Sequence, residues 1–270
     1  MLYSKRDVDD FQNIALSESH IISKSTFTMM AGPCAAESRD QVFRTADALA
    51  EIGIKVFRAG CFKSRTDPYA WQGSQEEGLK WLDEVRQQYG MKIISEITSF
   101  TNYAVVAECS DIIQIGAKAM YDHSLLIESG KAKKPVLVKR GFGTTVTEYL
   151  RMIEYILMQG NNDVILCERG IRTFETSTRF TLDLCGAVVM QDVTRLPLIC
   201  DPSHAAGKAK YVSKLAMAAA ALGCDGLIIE VHHNPSEALC DRDQALTIVE
   251  YKELHKRISE IVEINGRKII

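Results

Sequence analysis

The sequence lacks the features that point to nucleic acid, a membrane or secretion. It contains no block of five or more lysines and arginines, and its net charge is only −3, so nothing favours an anionic polymer as a partner. No apolar run approaches the length of a membrane span. Residues 1–10 are too acidic and polar for a secretory signal. These absences predict a cytoplasmic protein with neither nucleic acid nor membrane as a partner.

Paired cysteine motifs are also missing. The chain has eight cysteines, but no two of them form a C-x-x-C pair and most lie inside apolar runs. This distribution argues against a disulfide scaffold or a zinc ribbon and favours reduced thiols. No G-x-G-x-x-G segment follows the first predicted strand, which disfavours an open dinucleotide-binding sheet.

Strand-like and helix-like segments alternate along the chain after residue 26. The predicted strands are 27–32, 55–60, 92–97, 111–117, 135–140, 163–168, 196–201 and 226–232. The predicted helices are 39–52, 75–89, 101–108, 122–130, 146–159, 177–191, 208–222 and 244–262. Eight such units without a linker predict one α/β domain, a (β/α)8 TIM barrel over residues 27–270, with residues 1–26 as an N-terminal arm or hairpin. An open doubly wound sheet is the structural alternative.

Metal-ligating side chains follow several of the predicted strands, at the barrel end where such folds place their chemistry. The candidates are Cys34, His204, Glu230 and Asp241. A thiolate, an imidazole and two carboxylates suit a divalent transition metal such as Mn, Fe, Co or Zn better than Mg or Ca. Taken alone, Cys34 is more often a buried structural thiol and His204 a loop histidine bonded to backbone.

Cationic side chains form a second group at the strand ends. They are Arg58, Lys63, Arg65, Lys118, Lys139, Arg140, Arg169 and Arg172. For any one of them, a solvated position on the surface is the ordinary expectation. Together they predict a mouth for small substrates with several anionic groups, because arginine binds phosphate and carboxylate through paired hydrogen bonds.

Seven segments carry a resemblance to a known family. They are residues 31–37 (AGPCAAE), 62–73 (FKSRTDPYAWQG), 114–118 (QIGAK), 138–141 (VKRG), 166–175 (LCERGIRTFE), 201–204 (DPSH) and 230–232 (EVH). In these segments the chain closely resembles 3-deoxy-D-arabino-heptulosonate 7-phosphate (DAHP) synthases of the short type I beta form, which are related to 3-deoxy-D-manno-octulosonate 8-phosphate (KDO-8-phosphate) synthase. The resemblance covers roughly residues 27 to 262, and several ordered motifs together make it specific.

The resemblance implies a reaction and a role for each matching residue. DAHP synthases condense phosphoenolpyruvate with erythrose 4-phosphate, giving DAHP and phosphate in the first step of the shikimate pathway, and a homo-oligomer (dimer or tetramer) is expected. The family's metal ligands fall on the four candidates above. Its phosphoenolpyruvate site falls on Arg58, Lys63, Lys139 and Arg169, with Ala117 and Lys118 at the phosphate, and its aldose phosphate site on Arg65 and Thr66. Lys63, His204 and Cys34 are the catalytic candidates, and Asp201 and Ser203 join the substrate-binding candidates from their place at a strand end.

Several positions depart from the family pattern. Lys118 stands where an arginine is usual, Ser64 and Asp67 flank the Arg-Thr pair, and Tyr121-Asp122 replaces Gln-Asn. These changes weaken the prediction of the acceptor more than that of the phosphoenolpyruvate chemistry. We expect Asp67 to pair with Arg65 or Lys63 and to point away from the ligand. The alternatives are the same chemistry on arabinose 5-phosphate or a specialised-pathway sugar, and a non-catalytic descendant that binds a phosphorylated metabolite.

Overall fold

A closed parallel barrel dominates the computed structural model, which describes residues 1–7, 9–63, 67 and 69–270. An N-terminal hairpin comes first, with strands β1 (Ile14–Ser17) and β2 (His20–Ile22). The barrel strands follow as β3 (Thr26–Gly32), β4 (Val56–Arg58), β5 (Lys92–Ile97), β6 (Ile112–Ile115), β7 (Val136–Lys139), β8 (Val164–Glu168), β9 (Leu198–Cys200) and β10 (Gly226–Glu230). Each pairs in parallel with the next, and β10 closes the ring on β3. A short strand, β11 (Lys268–Ile269), adds to the start of β3. The predicted (β/α)8 architecture is confirmed.

Helices follow every barrel strand and cover its outer face. They are α1 (Arg39–Ile52), α2 (Gln75–Tyr89), α3 (Tyr103–Cys109), α4 (His123–Lys131), α5 (Val146–Leu157), α6 (Leu184–Val193), α7 (Pro202–Ala206), α8 (Ala209–Leu222) and α9 (Ile248–Ile264). Thr145 and Thr247 begin α5 and α9 with capping boxes. In each box the threonine side chain accepts from the backbone N–H of a glutamate, and the glutamate side chain accepts from the backbone N–H of the threonine. Among the described residues, no helix has both the length and the apolar character needed to cross a membrane.

Alternation along the strands decides which side chains face the barrel axis. A buried cluster inside the barrel takes residues from all eight strands: Met30, Val56, Ile94, Ile112, Leu137, Ile165, Cys167, Ile199 and Ile228. Because side chains on one face of a strand recur every second residue, the inward positions after Val56, Leu137 and Ile228 belong to Arg58, Lys139 and Glu230. The apolar core therefore supports a layer of charged groups at the carboxyl end of the barrel.

The amino end of the barrel is closed by the hairpin. Ile14 and Ile22 are fully buried against the axial cluster. Arg267 fastens this end, since its guanidinium donates to the backbone oxygens of Cys224 (2.8 Å) and Ser23 (3.2 Å) and to Asp225 Oδ1 (2.8 Å). Access to the barrel interior is left to the carboxyl end.

Two predicted helices were wrong at their amino ends. The helix predicted over 177–191 begins only at Leu184, where the Asp183 side chain accepts from the backbone N–H of Gly186. The residues before it form an excursion over the barrel mouth, in which Ile171 pairs with Thr181 in an antiparallel bridge. The last helix begins at Ile248 rather than at 244, because the loop before it turns sharply at Asp241.

Candidate active site

Four donor atoms converge at the carboxyl end of the barrel. One atom from each of Cys34, His204, Glu230 and Asp241 lies within 4.8 Å of all the others. Cys34 Sγ is 3.1 Å from Asp241 Oδ2, and His204 Nε2 is 3.4 Å from Glu230 Oε1. The side chains come from the loop after β3, from α7, from the end of β10 and from the loop before α9. A soft sulfur, an imidazole nitrogen and two carboxylate oxygens at this spacing can hold a divalent transition metal.

Asp201 fixes the orientation of the His204 ring. Its Oδ2 lies 2.7 Å from His204 Nδ1, and its Oδ1 accepts from the His204 backbone N–H. The carboxylate therefore holds the proton on Nδ1 and leaves Nε2 to face the cluster, as second-shell carboxylates do for metal-binding histidines. Lys139 Nζ donates to the same Oδ2 at 2.6 Å. Burial raises the pKa of Asp201, but His204 and Lys139 outweigh it and hold that pKa well below its ordinary value.

A second cysteine and a lysine surround the Cys34 thiol. Cys240 Sγ is 3.2 Å away, and this contact, burial and the charge of Glu230 raise the pKa of Cys34 well above its ordinary value. Lys63 Nζ donates to Cys34 O at 2.6 Å and lies 3.2 Å from Cys34 Sγ. A bound cation would favour the thiolate instead, because the deprotonated sulfur is the metal ligand.

A cavity of about 530 Å³ opens beside this cluster. Its wall includes the ring of Phe180 and six cationic side chains, which are Lys63, Lys118, Lys139, Arg169, Arg172 and Arg179. Arg169 is only 5% exposed and stacks on Phe180, with its guanidinium carbon 4.3 Å from the ring centre. Its Nη1 is buried and has no hydrogen-bond partner among the described residues. Burial lowers the pKa of Arg169. A buried guanidinium with an unsatisfied nitrogen, in a cationic wall, favours an anionic ligand.

Comparison with known proteins identifies the family of this chain. A model described as the DAHP synthetase I family matches residues 13–264. The chain belongs to this family.

Individual relatives agree with the DAHP synthetase I assignment. The phospho-2-dehydro-3-deoxyheptonate aldolase of Thermotoga maritima is 44% identical over 248 residues, which cover 92% of this chain and 73% of that protein. A 2-dehydro-3-deoxyphosphooctonate aldolase of Campylobacter jejuni is 31% identical over 265 residues, covering 87% of this chain and 96% of that one. The crystal structure of the Thermotoga maritima DAHP synthase matches with a TM-score of 0.96 at 40% identity, covering 100% of this chain and 78% of that chain.

Most residues predicted from the DAHP synthase motifs meet at this cavity. Ala117 and Lys118 lie on its wall with Lys63, Lys139 and Arg169. Arg58 lies deeper, where its Nη1 donates to Glu230 Oε1 at 2.9 Å and to Pro33 O at 3.0 Å. Arg65 and Thr66, predicted for the aldose phosphate, and Ser64 lie outside the described residues.

Other predicted residues lie away from the cavity. Ser203 is fully buried, and its hydroxyl accepts from the backbone N–H of Glu230 at 3.0 Å, so it positions β10. Arg140 points outward from the barrel, because its neighbour Lys139 points inward. Its Nη1 donates to Glu168 Oε2 at 2.9 Å and to Asp183 Oδ2 at 2.8 Å. Arg140 thus joins β8 to the start of α6 and does not belong to the cationic mouth.

Two charged residues of the cavity were missed. Glu96 occupies the inward position two residues after Ile94 on β5, and its Oε2 accepts from Gln114 Nε2 at 3.2 Å. The alternation of β5 was sufficient to find it. Arg179 was hidden by the helix predicted over 177–191. In the structure it lies on the excursion over the mouth, and its Nη1 donates to Asp241 Oδ1 at 3.2 Å.

Proposed function

We propose that this protein condenses phosphoenolpyruvate with erythrose 4-phosphate to give DAHP and inorganic phosphate, with Cys34, His204, Glu230 and Asp241 as its metal ligands. One observation carries the proposal: in a member of the DAHP synthetase I family, a four-donor cluster lies beside a cavity that is walled by cations, at the barrel mouth. This is the end at which (β/α)8 barrels perform catalysis.

The donor set fits a divalent ion of Mn, Fe, Co or Zn. All four donors are mutually close, and the ring nitrogen His204 Nε2 already faces them. Such an ion would act as a Lewis acid toward the aldehyde oxygen of the acceptor.

The cationic residues are proposed to hold phosphoenolpyruvate. Its phosphate and carboxylate provide acceptors for Arg169 Nη1, which has no hydrogen-bond partner among the described residues, and Lys118 and Lys139 lie on the same wall. Lys63 and Arg58 complete the site from the metal side, where they lie beside Cys34 and Glu230. The charges are preorganised before substrate binds, so they need no reorganisation as charge develops during the reaction. The enol carbon then adds to the aldehyde, water adds to the resulting cationic carbon, and phosphate leaves.

The activity is tested by following phosphate release from phosphoenolpyruvate with a panel of aldose phosphates. We expect erythrose 4-phosphate to give the highest kcat/KM, because the heptonate relative is more similar to this chain than the octonate relative. A clear preference for arabinose 5-phosphate would change the acceptor while keeping the chemistry. Phosphate release with none of the sugars would contradict the proposal.

Replacing Arg169 by alanine should weaken phosphoenolpyruvate selectively. The side chain contributes a charge-assisted hydrogen bond, worth about 1.5–3 kcal/mol, which is about one to two powers of ten in kcat/KM. We expect the KM for phosphoenolpyruvate to rise and the KM for erythrose 4-phosphate to change little. Steady-state kinetics measure both, with Arg151→Ala on α5 as the control. Unchanged KM for phosphoenolpyruvate would place Arg169 outside the site.

Replacing Asp67 by serine should change the use of erythrose 4-phosphate little. Asp67 is exposed, and its Oδ1 accepts from the backbone N–H of Tyr69 at 2.9 Å. Lys63, one of its predicted partners, donates to Cys34, and Arg65, the other, lies outside the described residues. Serine can make a similar turn contact, and exposed substitutions commonly stay within about 0.5 kcal/mol. A gain of about tenfold in kcat/KM, or about 1.4 kcal/mol, would instead show that Asp67 faces the acceptor.

We further propose that the chain works in the cytoplasm as a homo-oligomer. Val188 and Val189 on α6 are about half exposed, at 51% and 49%, and offer an apolar face for a second copy. Light scattering coupled to gel filtration measures the oligomeric state.

A further inference from the structure

Gln244 lies between two of the proposed metal ligands. It is 2% exposed and belongs to the loop before α9. Its Nε2 donates to Glu230 Oε2 at 2.7 Å, and its Oε1 accepts from Arg179 Nη1 at 3.1 Å. The same Arg179 nitrogen donates to Asp241 Oδ1 at 3.2 Å. One amide therefore connects the outer oxygens of both carboxylates, directly for Glu230 and through Arg179 for Asp241.

The inner oxygens of the two carboxylates face the other donors. Glu230 Oε1 is 3.4 Å from His204 Nε2, and Asp241 Oδ2 is 3.1 Å from Cys34 Sγ. Gln244 and Arg179 hold the outer oxygens, and Arg58 Nη1 donates to the inner oxygen of Glu230 at 2.9 Å. Together these contacts determine which oxygen of each carboxylate turns toward the cluster.

Only one orientation of the Gln244 amide suits both neighbours. A carboxylate accepts and a guanidinium donates, so the NH2 group must face Glu230 and the oxygen must face Arg179. The backbone adds a third connection, because Gln244 N–H donates to Asp241 O at 3.1 Å across a turn. Asp241 itself has a φ of +50°, a left-handed conformation that costs free energy for any residue other than glycine. The ligand is held in this conformation by the turn that ends at Gln244.

We propose that Gln244 is a positioning residue for the metal site. This inference rests on the metal site of the proposed function and deepens it. Hydrogen-bond partners of ligating carboxylates orient them, and their loss typically costs about 10- to 100-fold in metal affinity. Because Gln244 does not line the cavity, its effect should reach substrate only through the metal ligands.

Gln244→Met tests the proposal, since methionine keeps the length of the side chain and removes both hydrogen bonds. The dissociation constants of Mn²⁺ and Co²⁺ are measured by competition with a chromogenic chelator, without substrate. We expect about 10- to 100-fold weaker binding and a shifted ligand-field spectrum of bound Co²⁺. Gln191→Met is the matched control. The side chain of that glutamine donates to Gly223 O at 2.8 Å, near the amino end of the barrel, so metal binding and the Co²⁺ spectrum should stay as in the wild type.

A second variant tests the proposal if Gln244→Met does not fold. Gln244→Asn keeps the amide but is too short to reach Glu230 and Arg179 together, so it should also weaken metal binding. If the variant that folds loses thermal stability but binds metal with wild-type affinity and spectrum, Gln244 is merely structural and the inference is wrong. If the wild-type protein binds neither ion, the metal site of the proposed function fails first, and this inference fails with it.

Discussion

Metal-free protein should be inactive and should recover when Mn²⁺, Co²⁺, Fe²⁺ or Zn²⁺ is added. The expectation follows from the four donors of Cys34, His204, Glu230 and Asp241, which lie within 4.8 Å of one another. Two carboxylates held this close to a thiol are stabilised by a cation, and the aldehyde lacks a Lewis acid without one. The metal is removed with a chelator, the chelator is then removed, and phosphate release is measured. The rate of phosphate release should fall below detection.

The same experiment separates a catalytic metal from an incidental one. Ca²⁺ and Mg²⁺ prefer oxygen ligands and should restore little activity, because one donor is a sulfur and another an imidazole. The melting temperature should rise with each ion that restores activity, since a ligand that binds the folded state stabilises it. Full activity of the stripped protein would contradict the proposed site.

Asp201→Asn should lower kcat/KM strongly. The carboxylate accepts from His204 and from Lys139, and each charge-assisted bond is worth about 1.5–3 kcal/mol. Losing both corresponds to about two to four powers of ten in kcat/KM. The substitution also leaves the buried Lys139 ammonium without its anion and no longer holds the proton of His204 on Nδ1. Steady-state kinetics at saturating metal, together with the metal dissociation constant, measure the loss.

Asp225→Asn is the matched control for Asp201→Asn. Asp225 is also a buried aspartate with a cationic partner, Arg267, but it lies at the amino end of the barrel and accepts from the backbone N–H of Leu198. We expect this variant to lower the melting temperature and to leave kcat/KM nearly unchanged. Equal losses of kcat/KM in the two variants would show that the effect of Asp201 comes from general destabilisation.

The barrel, and the position of most candidate site residues at its carboxyl end, could be predicted from the sequence because both depend on short-range periodicity. Continuous apolar runs such as 136–138 predict buried parallel strands, and the residue that ends each run is placed at the barrel mouth by the topology. That rule places Lys139 and Glu230 at the same end of the barrel although they are far apart in the chain.

The rest of the site depends on loop geometry that no local pattern records. A helix was predicted from residue 177, yet the segment before Leu184 crosses the barrel mouth, with Ile171 paired to Thr181. Gln244 lay inside a predicted helix and gained its role only through the turn at Asp241. The sequence alone could have shown that Arg140 does not belong to the cationic mouth. Lys139 faces the axis, and two successive residues of one strand cannot both do so.

The closed amino end of the barrel leaves the two ends of the described chain on the side opposite the cavity. Ser4 pairs with Thr194 near the start of β9, and β11 pairs with the first residues of β3. A linker attached before Ser4 or after Ile269 would therefore leave the barrel from its far side. Tethering the protein to a bead or an electrode through either segment should leave the entry of both substrates unobstructed.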